Sequence, residues 1–170
     1  MVKRLLTACS FLEFSVSACT RQPRNGEING KDYYFYSVEK FQELIEEDAF
    51  IEWEMVYAGK YYGTLKSELE RIWDEGKSPL VDIDVRGALA ISEHFPEISL
   101  SIFIEAPSIE ELRKRLRGRG TETDHSIEER VAKAELELTF APRFNQIIVN
   151  DDLETAFNEL TSVVKQFTGH

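Results

Sequence analysis

Leu65-Lys-Ser-Glu-Leu69-Glu-Arg-Ile72-Trp73-Asp-Glu-Gly76-Lys-Ser-Pro-Leu80-Val-Asp82-Ile-Asp84 is the stretch that decides the fold. Leu65, Leu69, Ile72 and Trp73 recur at helical spacing, and Gly76 stands where a helix commonly closes on a left-handed residue. The run that follows, residues 80–84, is short and apolar, which predicts a buried strand with acidic residues at its carboxyl end. A helix feeding a buried strand is the repeating unit of an open α/β sheet, and ligands of such sheets bind outside the carboxyl ends of the strands. Asp82 and Asp84 are therefore expected at a crevice, where a carboxylate can hold Mg2+ or a hydroxyl. Asp84 can also cap the helix predicted over residues 86–94.

The same alternation continues on both sides. Ser108-Ile-Glu-Glu111 and Ser126-Ile-Glu-Glu129 match a capping box and predict two helix starts. Residues 99–105 and 146–150 read as buried strands, and residues 153–167 as a closing helix. Toward the amino terminus, residues 3–8 suggest a short helix. Residues 12–17 suggest a strand in which Leu12, Phe14 and Val16 alternate with Glu13, Ser15 and Ser17. A loop over residues 21–31 precedes a short aromatic strand at 33–36, and Ser37 can cap a helix carrying Phe41, Leu44 and Ile45 on one face. Residues 50–56 form a further expected strand, and residues 57–63 a turn region. The expected architecture is an open α/β sheet interrupted between about residues 32 and 64 by a smaller β-rich insert.

Composition narrows the function classes. A chain of 170 residues with 42% hydrophobic content suits one domain with a small insert, and its apolar runs are too short to cross a bilayer. A formal net charge of −11 repels phosphate polymers, which argues against a general nucleic-acid binder and makes any anion site a local exception. Cys9 and Cys19 match neither a metal-ligand spacing nor a disulfide framework, which fits a reducing cytoplasm. Residues 1–19 resemble a lipoprotein signal in outline. Glu13 inside the supposed apolar core, diluted further by Thr7 and Ser10, favours a folded helix and strand instead.

Three further groups of residues carry chemistry. Arg21 and Arg24 leave a strand end into a glycine-containing loop that runs to Tyr33. Two guanidinium forks three residues apart can converge on one dianionic phosphate with a tyrosine hydroxyl beside them, or can make surface salt bridges in a solvated loop. In a strand over residues 50–56, Glu52 and Glu54 share one face. There a carboxylate can accept from a ring N–H and an exocyclic amine, with Thr64 of Tyr61-Tyr62-Gly63-Thr64 serving another edge of the ligand; the alternative is an edge strand with its charges outward. Last, Arg113-Lys-Arg115-Leu-Arg117-Gly-Arg119, with Arg130 beyond it, is cationic against the sign of the whole chain. Some of these charges offset a helix dipole. Arg115, Arg119 and Arg130 around a polar loop would make a lid able to neutralise transferring phosphoryl oxygens.

Taken in order, Phe14-Ser-Val-Ser17, Thr20-Arg-Gln-Pro-Arg24, Gly26-Glu, Asn29-Gly-Lys-Asp-Tyr33, Phe50-Ile-Glu-Trp53, Tyr61-Tyr-Gly63, Asp82-Ile-Asp84, Arg115-Leu-Arg-Gly-Arg-Gly-Thr-Glu122 and Val149-Asn-Asp-Asp152 resemble the guanylate kinase family, which moves the γ-phosphoryl of ATP to GMP. The resemblance implies a P-loop kinase-like open parallel sheet formed by residues 1–31 and 65–170, with a helical lid at about 115–130 and a GMP-binding insert at 32–64. It implies that Ser17, Glu52 and Thr64 read guanine, and that Arg21, Arg24, Tyr33 and Tyr62 hold the GMP phosphate. Asp82 and Asp84 would serve the nucleotide or its Mg2+. Arg115, Arg119 and Arg130 would approach the ATP phosphates, with Arg24 joining them as a catalytic cation. GMP and ATP with Mg2+ are the implied partners, with no membrane and no nucleic-acid polymer. Cys19 stands where the family usually has a hydroxyl residue. The family's G-x-x-x-x-G-K-[ST] loop, which cradles ATP phosphates, has no match here. Val2-Lys-Arg-Leu-Leu reads as the later part of the helix after that loop, so the first central strand is expected to be missing. Two readings follow: a guanylate kinase, or a kinase-like domain that binds GMP or a protein partner without turnover.

Overall fold

Packing separates the chain into two units, Met1–Glu97 and Ile98–His170; the computed structural model describes residues 1–57, 59–118 and 123–170. The first unit runs α1 (Val2–Ala8), β1 (Leu12–Phe14), β2 (Ala18–Cys19), β3 (Tyr34–Phe35), α2 (Val38–Glu46), β4 (Phe50–Tyr57), β5 (Lys60–Leu65), α3 (Lys66–Asp74), β6 (Ser78–Leu80) and α4 (Val85–His94). The second runs β7 (Ile102–Glu105), α5 (Ile109–Gly118), α6 (Asp124–Leu138), a 3-10 turn (Ala141–Arg143), β8 (Gln146–Val149) and α7 (Leu153–Thr168). Among the described residues, no helix is long and apolar enough to cross a membrane.

Parallel pairing with helices between the strands makes this an α/β protein. β1 lies parallel to β6, with Leu12 opposite Ser78 and Phe14 opposite Leu80, and β7 lies parallel to β8 from Ile102↔Gln146 to Glu105↔Val149. A separate four-stranded sheet has the order β3-β2-β5-β4. Ser37 accepts a hydrogen bond from Lys40 N and starts α2. That helix lays Phe41 on the four-stranded sheet, stacked on Phe50 at 4.4 Å and on Tyr61 at 5.5 Å. Phe41, Phe50, Ala18 and Leu65 form its buried core. A phenylalanine buried this fully contributes about 1.5–3 kcal/mol. In the second unit α5 and α6 close over Leu116, Ile127 and Val131, and Arg113 joins them through two bonds to Glu128, each 3.0 Å.

Several expected boundaries move, each for a local reason. The strand expected over residues 12–17 breaks after Phe14, because its hydrogen-bond partners change. Ser15 N still donates to Leu80 O, Val16 N turns to the Glu68 carboxylate, and by Ala18 the partners are β3 and β5. The strand expected at residues 80–84 is Ser78–Leu80 instead, since β1, its partner, has already left the ladder at Phe14. Most of the expected turn at residues 57–63 is β5, which zips against β4 from Phe50↔Leu65 to Tyr57↔Lys60. The cap of α6 is Thr123, whose hydroxyl accepts from Ser126 N; Ser126 itself lies inside the helix. β7 and β8 are not buried on both faces. Ile148 is fully buried, whereas Ile104, Ile147 and Val149 are 42%, 41% and 46% exposed.

Candidate active site

β5 is the strand on which the first-unit site is built. Its register sets Thr64 opposite Glu52 of β4 and Tyr62 opposite Cys19 of β2. Tyr62 and Thr64, two residues apart, project from one face. Gly63 between them lets the strands close up: a Cβ there would lie 2.8 Å from Glu52 O, 2.9 Å from Phe50 Cδ1 and 2.9 Å from Trp53 Cβ.

At one end of β5, Thr64 Oγ1 donates to Glu52 Oε1 at 2.6 Å. Burial pushes the Glu52 carboxyl above the ordinary carboxylate range; hydrogen bonding from Thr64 opposes this, while Asp84 and Glu54 repel the charge and add to it. Asp84 stands at the start of α4, where its Oδ1 accepts from Arg86 N and Gly87 N at 3.1 and 3.0 Å. Arg86 in turn reaches Glu54 at 3.1 Å. This end offers a carboxylate and a hydroxyl to a ligand edge rich in N–H donors. Ser17 is buried at the start of β2.

At the other end, Arg21 is clamped. Its Nη1 and Nη2 donate to the two Glu27 oxygens at 2.6 and 2.7 Å. Its guanidinium carbon lies 4.8 Å above the Tyr33 ring and 5.5 Å from that of Phe35. Tyr33 meets Tyr62 edge-on at 6.2 Å. The Arg21 bonds, followed by the Arg24 backbone N–H, hold the Glu27 carboxyl down at about 2. The Arg24 side chain is exposed. A guanidinium lying over two aromatic rings, beside a loop carrying a second arginine, gathers cations in one place in a chain of net charge −11.

A family model described as guanylate kinase matches residues 1–167. The chain belongs to the guanylate kinase family. A guanylate kinase of Bacteroides thetaiotaomicron is 48% identical over 167 residues, covering 98% of this chain and 82% of the relative. A guanylate kinase of Porphyromonas gingivalis is 48% identical over 168 residues, covering 98% and 89%. The crystal structure of guanylate kinase from Anaplasma phagocytophilum superposes with a TM-score of 0.78 at 34% identity, covering 97% of this chain and 78% of that one.

Of the residues expected to serve a guanylate kinase site, the first unit brings Glu52, Thr64 and Asp84 together at one end of β5, and Arg21, Tyr33 and Tyr62 at the other. Asp82 is exposed on the segment between β6 and α4. Arg115 donates to Glu111 Oε1 at 2.9 Å and to the carbonyls of Asn150 and Asp151 at 2.6 and 3.1 Å. It is thus tied to the connection between β8 and α7. Arg130 is exposed on α6, and Arg119 lies outside the described residues. Among the described residues no group of three or more His, Cys, Asp or Glu side chains converges as a metal cage. Magnesium carried on nucleotide phosphates needs only one or two carboxylates, which fits exposed Asp82 and the Asp84 oxygen that the cap leaves over.

Two residues that sequence reasoning missed organise this site. Glu27 orients Arg21. Glu68, buried in α3, accepts from Val16 N at 2.8 Å, Tyr34 OH at 3.0 Å and Arg71 Nε at 2.9 Å. It thereby joins α3 to the segments that carry Ser17 and Tyr33. Burial pushes the Glu68 carboxyl up, but the bonds from Arg71, Val16 and Tyr34 outweigh it and hold it below the usual range. The signal was present, since Glu68 falls on the helix face shared by Leu65, Leu69 and Ile72.

Proposed function

We propose that this chain is a guanylate kinase, binding GMP along β5 and passing it the γ-phosphoryl of ATP. The observation that carries the reading is the bonded pair of half-buried Glu52 and buried Thr64, with Tyr62, two residues before Thr64 on β5, meeting Tyr33 and through it Arg21. Glu52 accepts from guanine N1–H and the exocyclic amine, and Ser17 and Thr64 serve the remaining edge. Arg21, Arg24, Tyr33 and Tyr62 hold the phosphate, so that one of its oxygens attacks the γ-phosphorus. The new O–P bond forms as the bond to ADP breaks, yielding GDP and ADP. Arg115, Arg119 and Arg130, with Arg24, neutralise the transferring oxygens, which is most of what a protein contributes to phosphoryl transfer. Asp82 and Asp84 would hold Mg2+ arriving with ATP, which would supply charge neutralisation for the phosphates. Residues 32–64 form the GMP-binding insert, residues 115–130 the lid, and the cytoplasm, which suits two free buried cysteines, is the compartment.

A second reading has one observation in its favour. No G-x-x-x-x-G-K-[ST] pattern occurs in the 170 residues, so these residues by themselves offer no cradle for ATP phosphates. A GMP-binding or protein-interaction domain without turnover would look the same at β5. Calorimetry with GMP and AMP, together with a coupled ADP-release assay on the 170-residue protein, separates the two. GMP preferred over AMP, with ADP release that depends on GMP, is the result expected of a kinase; the same preference with no ADP release would favour the domain without turnover. Equal affinity for both nucleotides would remove the guanine assignment.

A further inference from the structure

The Glu52 carboxylate rests against the first turn of α4 at a position with no side chain. A Cβ added at Gly87 would stand 2.7 Å from Glu52 Oε2, 3.0 Å from its Cδ and 3.3 Å from Ile83 Cδ1. The first of these is closer than real Cβ atoms approach anything. Gly87 is an ordinary helical residue, outside the set with positive φ, so its backbone conformation does not ask for glycine. A helix would be better served there by alanine. What requires the missing side chain is the carboxylate lying over it. The other oxygen, Oε1, is held from β5 by Thr64 at 2.6 Å. One carboxylate is thus fixed at both ends, by a hydroxyl on one side and by a notch in a helix on the other.

We propose that Gly87 is a specificity-determining residue of the GMP site: its bare α-carbon seats the Glu52 carboxylate in the one position from which guanine is told from adenine. This rests on the assignment of Glu52 to the guanine edge. Purine discrimination by a carboxylate depends on both oxygens lying in line with two N–H donors at once, and hydrogen bonds weaken steeply when misaligned. The atoms that a methyl at position 87 strikes first are the end of a flexible side chain, so the carboxylate swings aside while α4 stays in place.

Titration calorimetry with GMP and AMP, paired with thermal melts, on the wild-type chain, Gly87→Ala, Glu52→Ala and the double variant tests this. Gly87→Ala is expected to melt at or above wild type and to lose about ten- to a hundredfold of the preference for GMP over AMP, the cost of one mispaired buried polar group. In the Glu52→Ala background the same substitution should leave the nucleotide preference unchanged, as a double-mutant cycle requires when one residue acts through the other. A wild-type chain with no preference for GMP would remove the guanine reading and the inference with it. A wild-type chain that prefers GMP, beside a folded Gly87→Ala with the same preference, would overturn the inference alone. Unfolding of Gly87→Ala that persists in the double variant would overturn it too, because the methyl would then be striking something other than the carboxylate; unfolding relieved in the double variant supports it.

Discussion

Glu52 and Arg21 are both charged, largely enclosed residues, yet their surroundings treat them in opposite ways. Burial raises the Glu52 carboxyl, so the free protein is more stable with that group protonated. Its stabilising contribution is complete below the unfolded value and is lost as pH rises through the folded one. Glu52→Gln keeps an acceptor for Thr64 and removes the ionisation cost. Thermal melts should show the variant equal to or more stable than wild type above neutral pH, the advantage vanishing in acid, while GMP affinity falls about ten- to a hundredfold. A variant that melts lower at every pH would show that the carboxylate is there for folding. Arg21, by contrast, is stabilised by Glu27 and aromatic faces, and a ligand phosphate must share it with Glu27. Arg21→Ala or Arg24→Ala should weaken GMP by about 1.5–3 kcal/mol and leave guanosine nearly untouched, since only the phosphate contact goes. Equal losses for both ligands in calorimetry would mark the loop as structural.

At the scale of elements, Glu68 ties α3 by hydrogen bonds to β3 and to the segment between β1 and β2. Glu68→Ala strands the buried Val16 N–H and the Tyr34 hydroxyl, while the guanidinium of half-exposed Arg71 regains water. The expected loss is about 1–3 kcal/mol in urea unfolding, chiefly from the unpaired Val16 amide. The acid limb follows from the sign of the shift. Glu68 is held below the usual carboxylate range, so its contribution is present above that range and disappears as pH falls through the folded value. Wild type and Glu68→Ala should therefore converge in stability in acid; a constant gap down the pH series would contradict the assignment. Tyr34→Phe, which removes one bond and leaves the amide paired, should cost less than Glu68→Ala.

For the whole molecule, the parallel pairs are short. β1–β6 has three residue pairs and β7–β8 has four, and among the described residues each of these strands has one ladder partner. Two-stranded pairing of this length is marginal without further covering, and three large aliphatic side chains on β7 and β8 remain substantially exposed. The 170-residue protein should melt at low temperature. Differential scanning calorimetry showing a single high, cooperative transition would refute this. The net charge of −11 adds self-repulsion, so moderate salt should raise the melting temperature.

Helix spacing, caps at Ser37, Asp84 and Ser108, and the order of the motifs were legible along the chain, because these are local properties: a 3.6-residue period or a hydroxyl three residues ahead of an amide needs no distant partner. The alternation of strands and helices, and hence the α/β class, follows from the same local signals. What residues 12–17 and 80–84 do is a different kind of fact. Their apolar patterns are compatible with longer strands, but a strand lasts only as long as its neighbour, and β1 and β6 part after Phe14 and Leu80. The roles of Glu27, Glu68 and Gly87 likewise belong to the tertiary structure. A glutamate in a loop, a glutamate in a helix and a glycine in a helix are unremarkable in sequence. Each acquires its meaning when folding places Arg21, the Val16 amide or the Glu52 carboxylate within hydrogen-bond or contact distance, because desolvation and close approach depend on which atoms share a space and not on their separation along the chain.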